Sequence, residues 1–458
     1  MVSMALDKEK NGVASARQKP DTRGVLPALV FLAVLVGFHA DDLLGIGSPS
    51  GVTAGRIYVI GNIPLRDVTL VACALMAIVL WERIIAVVRM RFLLPVMCAL
   101  AVYSFVGVAA HNSMADMRGD FRVLGWFFGG MVLGELYLSV QQKIGLLGSV
   151  LIGGLALMVV AFSQTGSAAA TDQVRLTHPT IFMLSGSVLP MLALLIEESR
   201  KNRAVTVLFL VGIEICAYIM VVRGLTRSSL LVLLCLVACW VLSWSMGHVR
   251  EWGVLLIIAV GLGIVIAAAE PTGLREAATE SPYQRLMENP FDESNAESRL
   301  EEIREFFQQA SWQRLVLGSG IGGGLYSVIV GGEMTAGMHV GLFNFWLKFG
   351  IIPFAALAVM LYVYLPLRYW RAVIGSGGGD REELAVERSV LPIFLVWATT
   401  LAVSGGFSEV NLLWAGLAFY VYRDSAVRIR SRNPVAGRRR QARRRGGVLP
   451  PTGQVEPG

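Results

Sequence analysis

Apolar residues fall in long blocks along this chain, and short polar stretches separate the blocks. Most blocks are roughly 15–20 residues long, about the length at which an α-helix crosses the hydrocarbon core of a membrane. The pattern predicts an all-α polytopic membrane protein with about 12 transmembrane helices. The predicted spans are residues 25–40, 67–81, 92–110, 123–139, 144–163, 179–196, 204–222, 229–244, 254–269, 340–366, 389–404 and 411–422. Block 340–366 exceeds one span, so we expect a broken or re-entrant helix followed by a full span.

The composition agrees with this class and excludes others. Of the 458 residues, 55% are apolar and only 16% are charged, whereas soluble domains carry about 25% charged residues. The mean hydropathy is +0.61. A collagen, a coiled coil, a disordered chain and a disulfide-rich secreted module are all excluded. The five cysteines lie inside apolar blocks, so the sequence offers no disulfide framework and no metal-ligand spacing.

The distribution of positive charge predicts the orientation. An even number of spans places both termini on one side of the membrane, and lysine and arginine are enriched on the cytoplasmic side. With the N-terminus inside, 27 of the 40 lysines and arginines fall in cytoplasmic segments and 12 in outer segments. Both termini are therefore predicted to be cytoplasmic. The arginine-rich tail is interpreted as a topology anchor that contacts anionic lipid, and no nucleic-acid partner is predicted.

The predicted organisation has five parts. Residues 1–24 form a cytoplasmic N-terminal tail, 25–269 transmembrane helices 1–9, 270–339 a large outer loop, 340–422 transmembrane helices 10–12, and 423–458 a basic cytoplasmic C-terminal tail. Within the loop, a capping-box pattern at 294–297 predicts the start of an amphipathic helix. Its predicted apolar face is Leu300, Ile303, Phe307 and Ala310.

Arginines at the outer boundary are the first candidates for chemistry. Arg223 and Arg227 are four residues apart in a short outer loop, where both can point at one anion. Arg299 and Arg304 belong to the loop helix. The planar guanidinium offers paired donors that suit a pyrophosphate. The structural alternative for Arg223 and Arg227 is that they extend to lipid headgroups. For Arg299 and Arg304 it is a solvated helix face on which they pair with neighbouring glutamates.

His339, at the end of the outer loop, is the candidate base. A neutral imidazole takes a proton from a hydroxyl near pH 7 without a metal. A structural role at a helix start is the alternative, and His39, His111 and His178 also lie near the outer boundary. Asp41 and Asp42 resemble the acidic pair of metal-dependent lipid-linked glycosyltransferases.

A glycine run and three charges inside apolar blocks are the remaining candidates. Residues 318–324 read Gly-Ser-Gly-Ile-Gly-Gly-Gly, which is not a Walker loop because no Lys-Ser or Lys-Thr follows. The run predicts either a tight turn or a backbone approach to a phosphate or sugar. Glu135, Glu214 and Lys348 are costly in lipid and indicate a cavity or a charged partner.

Three local motifs, in this order along the chain, resemble those of one family. They are Thr226-Arg227-Ser228 at the outer end of the seventh span, Ser298-Arg299 with the helix and Gly318–Gly320 after it, and His339 with Phe349-Gly350-Ile351. Together with the span layout they resemble the O-antigen ligase and O-antigen polymerase superfamily. The chain departs from the family pattern at Val340, where members often have Asn, and in reading Thr-Arg-Ser rather than Ser-Arg-Gly.

The resemblance implies transfer of a glycan from undecaprenyl pyrophosphate to a sugar hydroxyl at the outer face of a bacterial inner membrane. It implies that Arg227 and Arg299, with Arg223 as a further candidate, bind the pyrophosphate and that His339 deprotonates or orients the acceptor. No cofactor and no metal are expected. A ligase uses lipid A-core as the acceptor, whereas a polymerase uses a lipid-linked repeat unit. The sequence does not decide between these two activities. A lipid-linked sugar transporter or flippase is the alternative from another class, and a structural scaffold is a further one.

Overall fold

The computed structural model describes residues 25–45, 58–60, 63–140, 142–164, 188–222, 227–245, 293–327, 333–335, 340–375, 381–403 and 408–432. The predicted span 254–269, the N-terminal tail and residues 433–458 lie outside these residues, as does most of the N-terminal half of the loop. Residues 423–432 of the predicted C-terminal tail are described and belong to the last helix. For several residues at the ends of elements, including Arg227 and Arg299, the backbone alone is described.

The described residues are almost entirely helical. The helices are α1 (Val25–Gly45), α2 (Leu65–Val79), α3 (Trp81–Val88), α4 (Met90–Ala109), α5 (Met114–Ser139), α6 (Lys143–Gln164), α7 (Leu189–Ser199), α8 (Arg203–Val222), α9 (Arg227–Ser245), α10 (Glu293–Gln309), α11 (Trp312–Leu317), α12 (Gly341–Phe349), α13 (Ile351–Ile374), α14 (Arg381–Val403) and α15 (Glu409–Arg432). Two short antiparallel pairs accompany them, β1 (Tyr58–Ile60) with β2 (Ile63–Pro64) and β3 (Leu325–Ser327) with β4 (Glu333–Thr335).

Several helices are long and apolar enough to cross a membrane. Among the described residues these are Met114–Ser139, Ile351–Ile374 and Glu383–Ala402, and α2 with α3 forms a fourth candidate that bends by 80°. Large apolar side chains project outward from the helices, with Val79, Phe105 and Ile352 between 72% and 84% exposed. Exposed apolar surface of this extent marks contact with a membrane or with other protein surfaces. The length and composition of these helices are consistent with a helical membrane protein.

Glycines allow α5 and α15 to pack closely at the centre of the bundle. A Cβ on Gly130 would lie 1.9 Å from the carbonyl oxygen of Leu413, and one on Gly416 would lie 2.0 Å from that of Phe127. Small residues four apart on one face let helix backbones approach in this way, and Gly134 continues the same face. This contact joins an early helix of the chain to the last one described.

Ion pairs and hydrogen bonds join the helices at two levels. At one level Arg122 of α5 bonds to Glu409 at the start of α15. At the other, Glu135 of α5 accepts hydrogen bonds from Arg83 at 3.1 Å and from Tyr420 at 2.9 Å. Arg122 and Glu135 are 13 residues apart, which is about 20 Å along a helix. Arg122, which the charge count places outside, and Arg83, which it places inside, thus contact α5 at different levels along its length. Which end of the bundle faces the cytoplasm stays a prediction of the charge count.

The block 340–366 is broken, as its length indicated. α12 ends at Phe349, Gly350 has a φ of 78°, and α13 continues to Ile374 with a π-helical turn at Met360–Tyr364. Val316 of α11 approaches so closely that a Cβ on Gly350 would lie 2.2 Å from its carbonyl oxygen. The short helix α12 is therefore separate from the span that follows it.

Candidate functional site

Of the four predicted site residues, the structure describes two, Arg227 and Arg299, and it describes only their backbone. Arg227 is the first residue of α9, and Arg299 lies in the first half of α10. His339 and Arg223 lie outside the described residues, and the side chains of Asp41 and Asp42, at the end of α1, do too. The roles assigned to these residues stay predictions.

The loop helix α10 packs against α12, the helix that begins two residues after His339. Phe306 is fully buried, and its ring lies 6.3 Å from that of Phe343 and 5.7 Å from that of Trp346. Trp346 also donates a hydrogen bond from Nε1 to the carbonyl of Leu315, at 2.9 Å. Position 299 precedes Phe306 by seven residues and so shares its helix face. The helix that carries Arg299 is thereby packed against α12, the helix that follows His339 in the sequence.

The buried face of α10 differs from the predicted one. Leu300 is 56% exposed and Phe307 is 45% exposed, whereas Phe306 and Glu302 are buried. Ile303 and Ala310 pack around Phe306, as predicted. Because Phe306 and Phe307 are adjacent, either one fits the 3.6-residue period of the apolar face. The contact with α12 determines that Phe306 is the buried one.

Residues 318–324, the glycine turn, are buried between α4, α5 and α12. Gly318, Gly320 and Gly322 have positive φ values of 77–81°. A Cβ on Gly320 would lie 2.2 Å from the backbone nitrogen of Gly107 in α4. The side-chain amide of Asn112 donates to the carbonyls of Ser319 and Ile321 at 2.8 and 2.9 Å. The glycines here permit close contact of the turn with the helices.

The backbone N–H groups of the glycine turn bind protein acceptors. Those of residues 319, 320 and 321 donate to the carbonyls of Leu347, Lys348 and Tyr103 at 2.7–3.0 Å. That of Gly322 donates to the carboxylate of Asp120, and that of Gly323 donates to the carbonyl of Gly320. Five consecutive donors are thus engaged within the protein. Of the two sequence interpretations, the tight turn is favoured over a phosphate cradle.

Lys348 has the charged partner that its burial requires. Its Nζ lies 2.7 Å from Oδ2 of Asp120 in α5 and 3.2 Å from the carbonyl oxygen of Gly323. The Lys348 side chain is 1% exposed and that of Asp120 11%. Removing one partner of such a pair costs roughly 3–5 kcal/mol because it leaves a buried charge uncompensated. The same carboxylate oxygen accepts the Gly322 N–H at 2.7 Å, so α5, α12 and the glycine turn meet at one point.

A chain of charges joins α2, α5 and α15 near this point, and sequence reasoning counted its arginines only as outer-face charges. Arg66 lies 3.2 Å from Glu409, and Arg122 contacts both Glu409 and Asp67. Arg118 reaches Asp67 at 3.3 Å. The sequence did carry a sign of these ion pairs, because the charged residues Arg66, Asp67 and Glu409 each lie at the start of a helix. These contacts tie helices together across more than 280 residues of sequence.

Substitution of Gly320 should detach the glycine turn. We expect Gly320→Ala to lower the Tm of the purified protein in detergent more than Gly375→Ala does. Both residues have positive φ, at 77° and 70°, so both changes incur roughly 1–2 kcal/mol of backbone strain. A Cβ at Gly375 meets open space, whereas one at Gly320 collides with α4. Equal shifts in Tm would contradict the close contact.

The described residues form a bundle with helices long and apolar enough to cross a membrane, and the segment after α10 folds back into that bundle. No model of a known protein family matches the sequence, and a comparison with characterised proteins finds no match either.

Proposed function

We propose that this protein transfers a glycan from an undecaprenyl-pyrophosphate donor to a sugar hydroxyl at the outer face of a bacterial inner membrane. The acceptor is lipid A-core for a ligase of the O-antigen type, or a lipid-linked repeat unit for a polymerase. The proposal includes about twelve spans, cytoplasmic termini and a periplasmic loop at 270–339. It rests on the resemblance carried by the motifs around Arg227, Arg299 and His339.

The observation that best supports the proposal is the return of the loop to the bundle. Arg299 and Arg227 come from segments about seventy residues apart, and they can share one pyrophosphate only if the loop folds back over the membrane. The packing of Phe306 on α12, and of the glycine turn on α4 and α5, supports such a return. α9, which begins with Arg227, packs against α14, and α12 packs against α14 as well. This arrangement supports a common site.

The chemistry needs few groups. Pyrophosphate is a good leaving group, so charge stabilisation by arginines at the departing phosphate lowers the barrier directly. A base that accepts the proton of the attacking hydroxyl completes the transfer. In the proposal the arginines hold the donor, and His339 acts on the acceptor. The polyprenyl tail lies among the apolar outer faces of the helices.

The test is transfer by the purified full-length protein in nanodiscs. A labelled undecaprenyl-pyrophosphate oligosaccharide is supplied with either lipid A-core or a second lipid-linked repeat unit. We expect one acceptor to be extended, and we expect EDTA to leave the rate unchanged because no metal takes part. Loss of transfer with EDTA and its return with magnesium or manganese would assign the chemistry to Asp41 and Asp42 instead. Movement of the donor across a proteoliposome membrane, without transfer to either acceptor, would replace the proposal with a flippase.

A further inference from the structure

The ion pair of Asp120 and Lys348 connects three separate parts of the chain at a buried point. Asp120 lies in α5, Lys348 in the last turn of α12, and the glycine turn supplies the N–H of Gly322 and the carbonyl of Gly323. All three bonds are 2.7–3.2 Å long. The N–H of Gly322 and the carbonyl of Gly323 make these bonds only when the turn is seated between the two helices. The pair therefore responds to the position of the turn as well as to that of α12.

Stability alone gives little reason for a charge pair at this point. Apolar residues of similar volume often stabilise a buried site as well as an ion pair does, whereas polar groups fix one arrangement among several. The glycine turn has no large side chain of its own except Ile321, which is buried. Its location is set mainly by hydrogen bonds, and the carboxylate of Asp120 is the only side-chain acceptor among the groups that its backbone N–H donors at 319–323 are shown to contact.

The position of this ion pair has a consequence for the proposed site. α12 has nine residues, so it is about 13 Å long, with Lys348 near one end and His339 two residues beyond the other. α10, with position 299, packs on the same short helix through Phe306. A shift at the Lys348 end therefore moves α12 and α10 together, relative to the rest of the bundle, and His339 is joined to α12 by the chain.

We propose that Asp120 and Lys348 are positioning residues, which hold the glycine turn, α10 and α12 in register so that His339 and Arg299 meet the donor bound at Arg227. This inference rests on the proposed function for its catalytic consequence. Its structural part, the fixed position of the loop on α5, holds independently of any substrate.

The structural part is tested with two spin labels in a cysteine-depleted full-length protein in nanodiscs. The labels replace Met114 of α5 and Gln308 of α10, both exposed. We expect one narrow distance distribution in the otherwise unchanged protein and a broad or shifted one in Asp120→Asn and in Lys348→Met. Ser319→Ala is the local control, because the Ser319 hydroxyl is buried and has no hydrogen-bond partner among the described residues. Arg388→Met is the matched control, because it breaks an ion pair with Glu197 that joins α7 to α14.

A double variant separates positioning from simple charge compensation. Asp120→Asn with Lys348→Met removes both charges of this pair and keeps an acceptor for the Gly322 N–H, so we expect its Tm to return toward that of the original protein. The side-chain bond from Lys348 of α12 to the carbonyl of Gly323 stays absent, and only the backbone bonds of residues 319 and 320 still join the turn to α12. The broad label distribution should therefore persist. Turnover at saturating donor should stay about 100-fold low, as expected when reacting groups are displaced by about 1 Å.

The outcomes distinguish the two proposals. A narrow, unshifted distribution in the double variant, or full turnover with it, would overturn the positioning role. Absence of transfer in the original protein, with labels that behave as expected, would overturn the proposed function and leave the structural part standing. If the single variants do not fold, the double variant carries the test.

Discussion

His339→Ala is expected to abolish glycan transfer while the donor still binds with nearly unchanged affinity. The base acts on the acceptor hydroxyl and makes no contact with the pyrophosphate, so its loss affects the chemical step. A positioned general base contributes about 10²–10⁴-fold to a rate. The measurement is transfer in nanodiscs, together with donor affinity from titration of the labelled lipid.

Two other histidines serve as matched controls for this result. His39 is buried with its ring edge-on to Phe38, at 4.9 Å, and His111 has a φ of 57° in the turn between α4 and α5. These are structural settings, and His111→Asn suits the left-handed backbone. We expect His39→Gln and His111→Asn to retain transfer. A wild-type rate in His339→Ala, or loss of transfer only in a control, would remove His339 from the site.

Arg227→Lys and Arg299→Lys are each expected to cause a severe loss of activity. Lysine keeps the charge but lacks the planar pair of donors that binds two phosphate oxygens at once. Arg→Ala at either position should weaken donor binding, since each charge-assisted hydrogen bond contributes roughly 1.5–3 kcal/mol. Donor affinity and transfer are measured for each variant under the same conditions.

The controls for the arginine prediction lie in the same loop. Arg304 is exposed on α10, five residues after Arg299, and Arg314 lies in α11. Arg→Lys at these two positions should be tolerated, because a helix surface requires only a solvated charge. Full activity of both Arg227→Lys and Arg299→Lys would contradict the proposed pyrophosphate site.

Local sequence features predicted much of this fold, because helices and turns depend mainly on residues close together in the sequence. Helix positions follow from the apolar blocks, and the break in block 340–366 follows from its length, with Gly350 supplying the positive φ at the break. The glycine run predicted either a tight turn or a backbone approach to a phosphate or sugar, and the backbone hydrogen bonds favour the turn. The structure places some of these features close to the predicted boundaries, as at α4, which was predicted at 92–110 and observed at Met90–Ala109. Others differ, since α5 begins nine residues before its predicted start at 123, α14 eight residues before 389, and α15 continues ten residues past 422.

The partners across long sequence separations were not predictable. Lys348 was recognised as a charge that needs a partner, but Asp120 is 228 residues away, and no local period relates the two positions. The choice of Phe306 over Phe307 on α10 likewise depends on a contact with α12. The glycine-mediated contact of α5 with α15 depends on backbones that meet only in the assembled bundle.

The contact between α5 and α15 has a consequence for how the protein is made. Arg122 and Glu409 are 287 residues apart in the chain, and Glu135 and Tyr420 are 285 apart. At about 5–20 residues per second, synthesis of that interval takes on the order of tens of seconds. During that time the glycine face of α5 and its two charged side chains have no partner from α15. The bundle is therefore completed late in synthesis, and we expect the insertion machinery to shield α5 until α15 enters the membrane.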